Sequence, residues 1–242
     1  MRIKYNINTK FILIFFISVL NNSCNLDSIE KKNKELYKLK FPVETNLIFS
    51  NNIVETETIS ILEYNNMYMG GGVSIGDINN DELPDIFLTA NQKSNRLFLN
   101  KGNFEFVDIT ESSGIAGDIG IKSWTTGTTM VDINNDGFLD IYVCMIDGFK
   151  NLTGINKLYI NQGDNTFIES AAEYNLDIST YAHQAAFFDY DIDGDLDMFL
   201  VNQAMHTPLS YNQGYIREKR DKMAGDLLFR NEGGKFVDVS EE

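Results

Sequence analysis

The nine residues from Asp189 to Asp197 carry acids at their first, third, fifth and ninth positions and glycine at the sixth. In a tight turn, alternate side chains point toward one centre. Calcium, a hard cation, takes six to eight oxygen ligands at about 2.3–2.6 Å, and such a turn can supply them. Because Asp195 adds a fifth carboxylate, the acids would repel one another without a cation. The stretch therefore predicts a calcium-binding loop.

The same pattern occurs in residues 77–85 and 132–140, so that the first acids of the three loops lie 55 and 57 residues apart. A fixed period of this length indicates a repeat protein. We expect about three calcium sites, each using the side chains at positions one, three, five and nine and the backbone carbonyl at position seven. The predicted ligands are Asp77, Asn79, Asp81, Leu83 and Asp85; Asp132, Asn134, Asp136, Phe138 and Asp140; and Asp189, Asp191, Asp193, Asp195 and Asp197.

The three loops differ in two ways that bear on affinity. Asn79 and Asn134 are neutral at the third position, whereas the third loop has an acid there, which predicts that the third site binds calcium most tightly. Glu82 occupies the sixth position of the first loop, where the other two have glycine. A side chain with a Cβ tolerates a left-handed backbone poorly, so Glu82 is expected to weaken or adjust the first site.

Short apolar segments bounded by turn residues surround each loop, and their length and composition predict strands. A further hairpin with glycine in its turn closes each repeat. The predicted strands are residues 72–76, 86–90, 96–100 and 104–108; 127–131, 141–145, 157–161 and 166–169; and 184–188, 198–201, 227–231 and 235–238.

Four strands in about 55 residues predict the blade of a β-propeller, with the metal loop between its first and second strands. The expected fold is therefore all-β, a partial propeller of about three four-stranded blades. An EF-hand is excluded because its loop takes a bidentate glutamate from position twelve, where this chain has Leu88, Val143 and Leu200. A run of surface turns that are merely acidic does not explain three copies in one register.

The N-terminus predicts export. Basic residues precede an apolar run of ten residues, which is too short to span a bilayer comfortably and is typical of a signal peptide over residues 1–23. Cys24 follows a small residue there and predicts lipidation; simple cleavage of the signal is the alternative. The expected domains are a tether over residues 24–44, a lead-in strand region over 45–69, and blades over 70–122, 123–179 and 180–242.

The net charge of −15 excludes a basic footprint for nucleic acid, so no such partner is expected. Catalysis is also not expected, since His183 and His206 have no nucleophile motif near them and the paired acids are explained as metal ligands. Trp124 is predicted to lie in the blade core or rim; the alternative is a platform on which a sugar stacks. The third repeat has an insertion around residues 202–225, which could bind a partner or be a decoration without one.

At these residues the chain resembles the FG-GAP or VCBS repeat β-propellers, including the integrin-α-like N-terminal domains. The resemblance covers about residues 70–242 and is carried by three D-x-[DN]-x-D-x-x-x-D loops and the L-[FY]-[LIF]-[NR] hairpins that follow them. Residues 70–73 and 124–127 look most like bacterial exported proteins similar to the cartilage acidic protein group. In that group a propeller is often followed by an ASPIC/UnbV module, which this sequence does not show.

The resemblance implies a calcium-binding, exported surface module, anchored by lipid or otherwise periplasmic or secreted, that binds a protein or a glycan. The alternative is the non-catalytic propeller part of a carbohydrate-active enzyme such as a calcium-dependent polysaccharide lyase; a structural spacer is a third possibility. Closed propellers use four to eight blades. The three repeats are therefore expected to belong to a longer propeller, or to a ring assembled from several chains.

Overall fold

The computed structural model describes residues 37–117, 120–205 and 220–241. The chain divides into residues 1–40 and 41–242, and the second unit carries every described helix and strand. The predicted signal peptide, Cys24, most of the predicted tether and residues 206–219 of the insertion lie outside the described residues. Within the described ranges, no helix has the length and apolar character needed to cross a membrane.

The strands form three antiparallel sheets of four strands each, called blades 1, 2 and 3. In each blade, consecutive strands pair with one another. Blade 1 contains β1 (Val73–Gly76), β2 (Asp85–Leu88), β3 (Arg96–Asn100) and β4 (Phe106–Asp108). Blade 2 contains β5 (Thr125–Val131), β6 (Asp140–Met145), β7 (Lys157–Asn161) and β8 (Phe167–Glu169). Blade 3 contains β9 (Ala182–Phe188), β10 (Asp197–Asn202), β11 (Leu227–Asn231) and β12 (Phe236–Asp238).

The first strands of the blades lie side by side, with β5 between β1 and β9. This placement of first strands at the inside, with consecutive strands leading outward, is the arrangement of propeller blades. The predicted all-β fold and partial propeller of three four-stranded blades are therefore confirmed.

The blades pack face to face through apolar side chains, and β6 shows why. Every residue of β6 is buried. Alternate side chains of a strand point to opposite faces, so both faces of β6 must be covered. Ile141 and Val143 pack in the cluster shared with blade 1. Tyr142 and Cys144 pack in the cluster shared with blade 3. The middle blade is thus covered on both sides, which explains its continuous apolar run.

Threonine side chains add hydrogen bonds between neighbouring blades. The hydroxyl of Thr89 donates to the carbonyl of Thr126 at 2.5 Å, and the hydroxyl of Thr126 donates to the carbonyl of Ala182 at 2.8 Å. The hydroxyl of Thr129 donates to the carbonyl of Ala185 at 2.6 Å. These bonds hold neighbouring blades together beside the first strands, which lead into the acidic loops.

The region that precedes blade 1 differs from the prediction. Residues 45–69 form no strand; the one-turn helix α1 (Pro42–Thr45) is followed by turns. Their polar backbone is satisfied by side chains of blade 1 instead of a strand partner: the backbone N–H of Val54 donates to Gln92 at 2.6 Å. Leu47 and Phe49 pack against the outer apolar cluster of blade 1.

Two further helices of one turn, α2 (Thr110–Ser113) and α3 (Ala171–Tyr174), follow the last strands of blades 1 and 2. Each ends at a residue in the left-handed conformation, Gly114 with φ 78° and Asn175 with φ 59°. The sequence reasoning missed both helices, because four residues are too few to show a helical period.

Candidate metal centres

Each acidic loop joins the first and second strands of its blade, in the place that the sequence predicts. The loops begin after β1, β5 and β9 and end on the first residue of β2, β6 and β10. Their ninth residues, Asp85, Asp140 and Asp197, are therefore already part of a strand, while most of the other loop acids lie toward solvent.

The ninth acid of each loop is fully buried and connects three parts of its blade. In blade 2 the two oxygens of Asp140 accept hydrogen bonds from the backbone N–H of Ile133 at 3.1 Å and of Asn161 at 2.8 Å. The same pair of bonds is formed by Asp85 with Ile78 and Asn100, and by Asp197 with Tyr190 and Asn231. This carboxylate thus ties the acidic loop to the end of the third strand.

The first acid of each loop organises the turn itself. In blade 2, Oδ1 of Asp132 accepts from the backbone N–H of Asp136 at 3.0 Å, and Oδ2 accepts from that of Gly137 at 2.9 Å. Equivalent bonds bring Asp77 to Asp81 and Glu82, and Asp189 to Asp193 and Gly194. Each loop is consequently a folded turn in which the first carboxylate is held by the backbone N–H groups of the fifth and sixth residues.

The turn needs a left-handed backbone at two positions of every loop. At the sixth position φ is 90° in Gly137 and 101° in Gly194, and Glu82 adopts the same region with φ 68°. The backbone of the first loop therefore does not change its conformation to accommodate Glu82. The weaker calcium affinity expected of this loop stays a prediction. At the fourth position φ is 58° in Asn80, 57° in Asn135 and 65° in Ile192. Ile192 is β-branched and 88% exposed, so its conformation is strained without any packing to compensate.

In the third loop, acid side chains converge. One carboxylate oxygen from each of Asp189, Asp191 and Asp197 lies within 4.8 Å of the others, and no other group of three His, Cys, Asp or Glu side chains does so among the described residues. Partial desolvation within the loop, together with the charges of Asp193 and Asp197, raises the pKa of Asp191, although this residue is exposed. These oxygens are the kind of ligand that Ca²⁺ prefers.

A buried, unpartnered oxygen supports the fit of a cation to this loop. Oδ1 of Asp195 is buried and has no hydrogen-bond partner. Burial and the charge of the neighbouring Asp193 raise the pKa of the Asp195 carboxyl. An orphaned carboxylate oxygen beside other carboxylates costs free energy that a bound cation would remove. The sequence assigned only the backbone carbonyl of Asp195 as a ligand, so this side chain is an additional candidate.

The first and second loops satisfy their polar groups in a different way. The amide Nδ2 of Asn79 donates to Asp81 at 3.1 Å, and that of Asn134 donates to Asp136 at 2.9 Å. Burial raises the pKa of Asp140 to about 6, an effect that its two backbone hydrogen bonds oppose and the nearby Asp136 and Asp132 reinforce. Burial likewise raises the pKa of Asp85. These two loops contain fewer acids, and internal hydrogen bonds take up part of the charge.

The other residues singled out from the sequence lie away from the loops. Trp124 is buried in the core, where its ring meets that of Tyr64 edge to face at a centroid distance of 5.3 Å. His183 is half-buried, and its Nδ1 lies 2.8 Å from the amide nitrogen of Gln203. The sequence did not reveal Gln203 or Tyr64, because 139 residues separate these two partners. His206 lies outside the described residues.

Comparison with known proteins agrees with the repeat architecture. Residues 60–143 match the model of the FG-GAP-like repeat family. The chain is similar to cartilage acidic protein 1 of Xenopus tropicalis, with 30% identity over 146 residues, which cover 59% of this chain and 21% of that protein. It is also similar to cartilage acidic protein 1 of Homo sapiens, with 29% identity over 140 residues, covering 57% and 20%. The matched part thus spans about a fifth of the length of these relatives.

Proposed function

Since the chain carries an FG-GAP-like repeat on three propeller-type blades, we propose that it is a calcium-binding, exported surface module that binds a protein or a glycan. The convergence of Asp189, Asp191 and Asp197 in the third loop, beside the orphaned oxygen of Asp195, is the observation that carries the calcium assignment. The equivalent turns at residues 77–85 and 132–140 extend the proposal to about three sites.

The proposed role of the metal is structural. A bound Ca²⁺ would neutralise the loop carboxylates and give their oxygens the coordination that water otherwise provides. The side chains of the loop position the turn and connect it to the sheet. The first acid holds the turn through two backbone N–H groups, and the buried ninth acid transmits the position of the loop to the second and third strands. The loop therefore acts as a connection within its blade.

Export is proposed from the basic and apolar pattern of the N-terminal residues 1–23. Extracellular calcium is abundant enough to fill the weaker class of oxygen-ligand sites, with dissociation constants of about 10⁻⁴–10⁻³ M. Lipidation at Cys24 would hold the module at the membrane surface, with the predicted tether between the anchor and the blades. This arrangement suits a binding module at the cell surface.

The alternative function is the non-catalytic propeller part of a carbohydrate-active enzyme, such as a calcium-dependent polysaccharide lyase. The described residues favour a non-enzymatic module. The acids that converge at residues 189–197 are occupied by the turn and its proposed cation. His183 bonds to an amide group and not to a nucleophile or a carboxylate.

A binding screen tests the proposed function. The chain without residues 1–23 is immobilised and screened against a glycan array and an extracellular protein array, in about 1 mM calcium, the upper end of the range given above, and in chelator. We expect binding in calcium that is lost in chelator and restored when calcium is added back. Absence of any bound glycan or protein in calcium would contradict the proposal. Cleavage of an arrayed polysaccharide would favour the enzyme alternative.

A further inference from the structure

A pocket of about 210 Å³ lies where the first strands of the three blades begin, at the opposite end of those strands from the metal loops. The same two repeat positions of every blade line it, namely the sixth and fifth residues before the first loop acid. They are Gly71 and Gly72, Thr126 and Gly127, and His183 and Gln184. The pocket is therefore a product of the repeat architecture and lies at the inner edge of the blades.

The glycines are required by the close approach of neighbouring blades. A Cβ on Gly72 would lie 2.8 Å from the backbone carbonyl oxygen of Thr126, and a Cβ on Gly127 would lie 2.3 Å from that of His183. In blade 3 the corresponding residue is Gln184, whose amide nitrogen donates to the hydroxyl of Thr129 at 2.8 Å. The third repeat thus places larger polar side chains where the first two have only glycine or threonine.

A hydrogen-bond network holds the polar wall of the pocket in one arrangement. Gln203 is buried, and its Oε1 accepts from the hydroxyl of Tyr64 and from Nδ2 of Asn66, both at 3.0 Å. Its Nε2 must therefore donate to Nδ1 of His183, 2.8 Å away. The imidazole is neutral in this arrangement, and its Nε2–H is the donor left for a ligand.

The lining residues determine the class of ligand. They offer neutral donors and acceptors from amide, imidazole, hydroxyl and backbone groups, together with the apolar surfaces of Met69 and Trp124. Among the described residues that line the pocket there is no Lys, Arg, Asp or Glu, so none of them would balance a phosphate, a carboxylate or an ammonium group. The volume is below the roughly 300–1,000 Å³ of pockets for drug-sized ligands, which limits the occupant to about one ring.

We propose that this pocket binds a single neutral, hydroxyl-rich ring, such as one uncharged sugar unit of a glycan. The inference rests on the proposed function, of which it specifies the ligand class and the place. Hydroxyl groups that both donate and accept match amide and imidazole partners, and the fixed network around Gln203 reduces the entropy lost on binding. A peptide side chain is the competing occupant that the experiment must distinguish.

Ligand-observed saturation-transfer NMR tests the proposal on the calcium-loaded protein. The probes are neutral hexoses, 6-deoxyhexoses and N-acetylhexosamines, with glucuronate and uncharged N-acetyl amino-acid amides as comparison ligands. We expect saturation transfer to at least one neutral sugar and none to glucuronate. His183→Ala and Gln184→Ala should each weaken that binding by about fivefold, the effect of one lost hydrogen bond. Gln162→Ala, which removes an exposed amide in the β7–β8 turn, is the matched control and should bind as the parent does.

Circular dichroism establishes that each variant is folded, and Asn66→Ala replaces any variant that is not. Saturation transfer to amino-acid amides but to no sugar would contradict the proposal, as would normal sugar binding by folded His183→Ala and Gln184→Ala. If His183→Ala leaves binding to the array unchanged, the pocket is not the binding site, and the proposed function still holds. If the unmodified protein binds nothing on either array in calcium, the proposed function itself is contradicted.

Discussion

Oδ1 of Asp197 accepts a hydrogen bond of 2.8 Å from the backbone N–H of Asn231, although 34 residues separate the two in sequence. Asp197 closes the third acidic loop, and Asn231 ends the third strand of the same blade. One buried carboxylate therefore belongs to the proposed metal site and to the sheet at the same time. Blades 1 and 2 repeat this relationship through Asp85 with Asn100 and Asp140 with Asn161.

The first prediction separates these two roles. Asp197→Asn replaces one acceptor oxygen by an NH₂ group that faces a backbone N–H, so it should destabilise the fold even without calcium. We expect a loss of about 2 kcal/mol in the free energy of unfolding, measured by urea denaturation in chelator. Asp193→Asn is the control, because Asp193 is exposed and should matter mainly when calcium is present. Equal stability of the two variants in chelator would contradict the dual role of Asp197.

The second prediction concerns the left-handed residue at the fourth loop position. Ile192→Asn introduces the residue that Asn80 and Asn135 supply in the other loops, and Ile192 is too exposed to lose packing. Because a left-handed conformation costs a β-branched residue about 1–2 kcal/mol, the variant should be more stable by about 1 kcal/mol. Thermal unfolding in chelator measures this difference in stability between the variant and the parent protein. Ile168→Asn, which changes a half-exposed isoleucine in β8, is the control and should not be stabilised.

The third prediction ranks the proposed sites. At positions one, three, five and nine, the third loop has four acids, whereas the first loop has three acids and an asparagine. Three acids of the third loop also converge. Calcium titration by isothermal calorimetry should therefore show that Asp193→Ala removes the site with the highest affinity. Asp81→Ala, at the equivalent position of the first loop, should cost less. A larger loss of affinity in Asp81→Ala would refute the ranking.

The fourth prediction uses Cys144, which is fully buried between blades 2 and 3. Burial raises the pKa of its thiol well above the usual range, so the reactive thiolate is not formed in the folded protein. In a Cys24→Ser variant, which leaves Cys144 as the only thiol, we expect reaction with a thiol reagent to occur at the rate of unfolding. Rapid labelling under native conditions would show that the interface between these blades opens.

The strands and the turns of the acidic loops could be predicted because they depend on local patterns. Short apolar runs bounded by turn residues place β3 at 96–100 and β7 at 157–161, as observed. The contacts of Gln203 with Tyr64 and His183 could not be predicted, because they join distant parts of the chain through blade packing. The conformation of Ile192 was predictable in principle: alignment with Asn80 and Asn135 identifies a position that favours a left-handed backbone.

The most direct test of the account is the dependence of stability on calcium. The free energy of unfolding is measured by urea denaturation in chelator, in magnesium and in calcium, for the parent chain and for Asp189→Ala with Asp191→Ala. Binding to the folded state alone stabilises by about 2.7 kcal/mol for each site at a concentration of 100 Kd. We predict that calcium, and not magnesium, raises the stability of the parent by at least this amount, and that the double variant loses the contribution of the third site. Identical unfolding curves in calcium and in chelator would contradict the central claim that these loops are calcium sites that stabilise the blades.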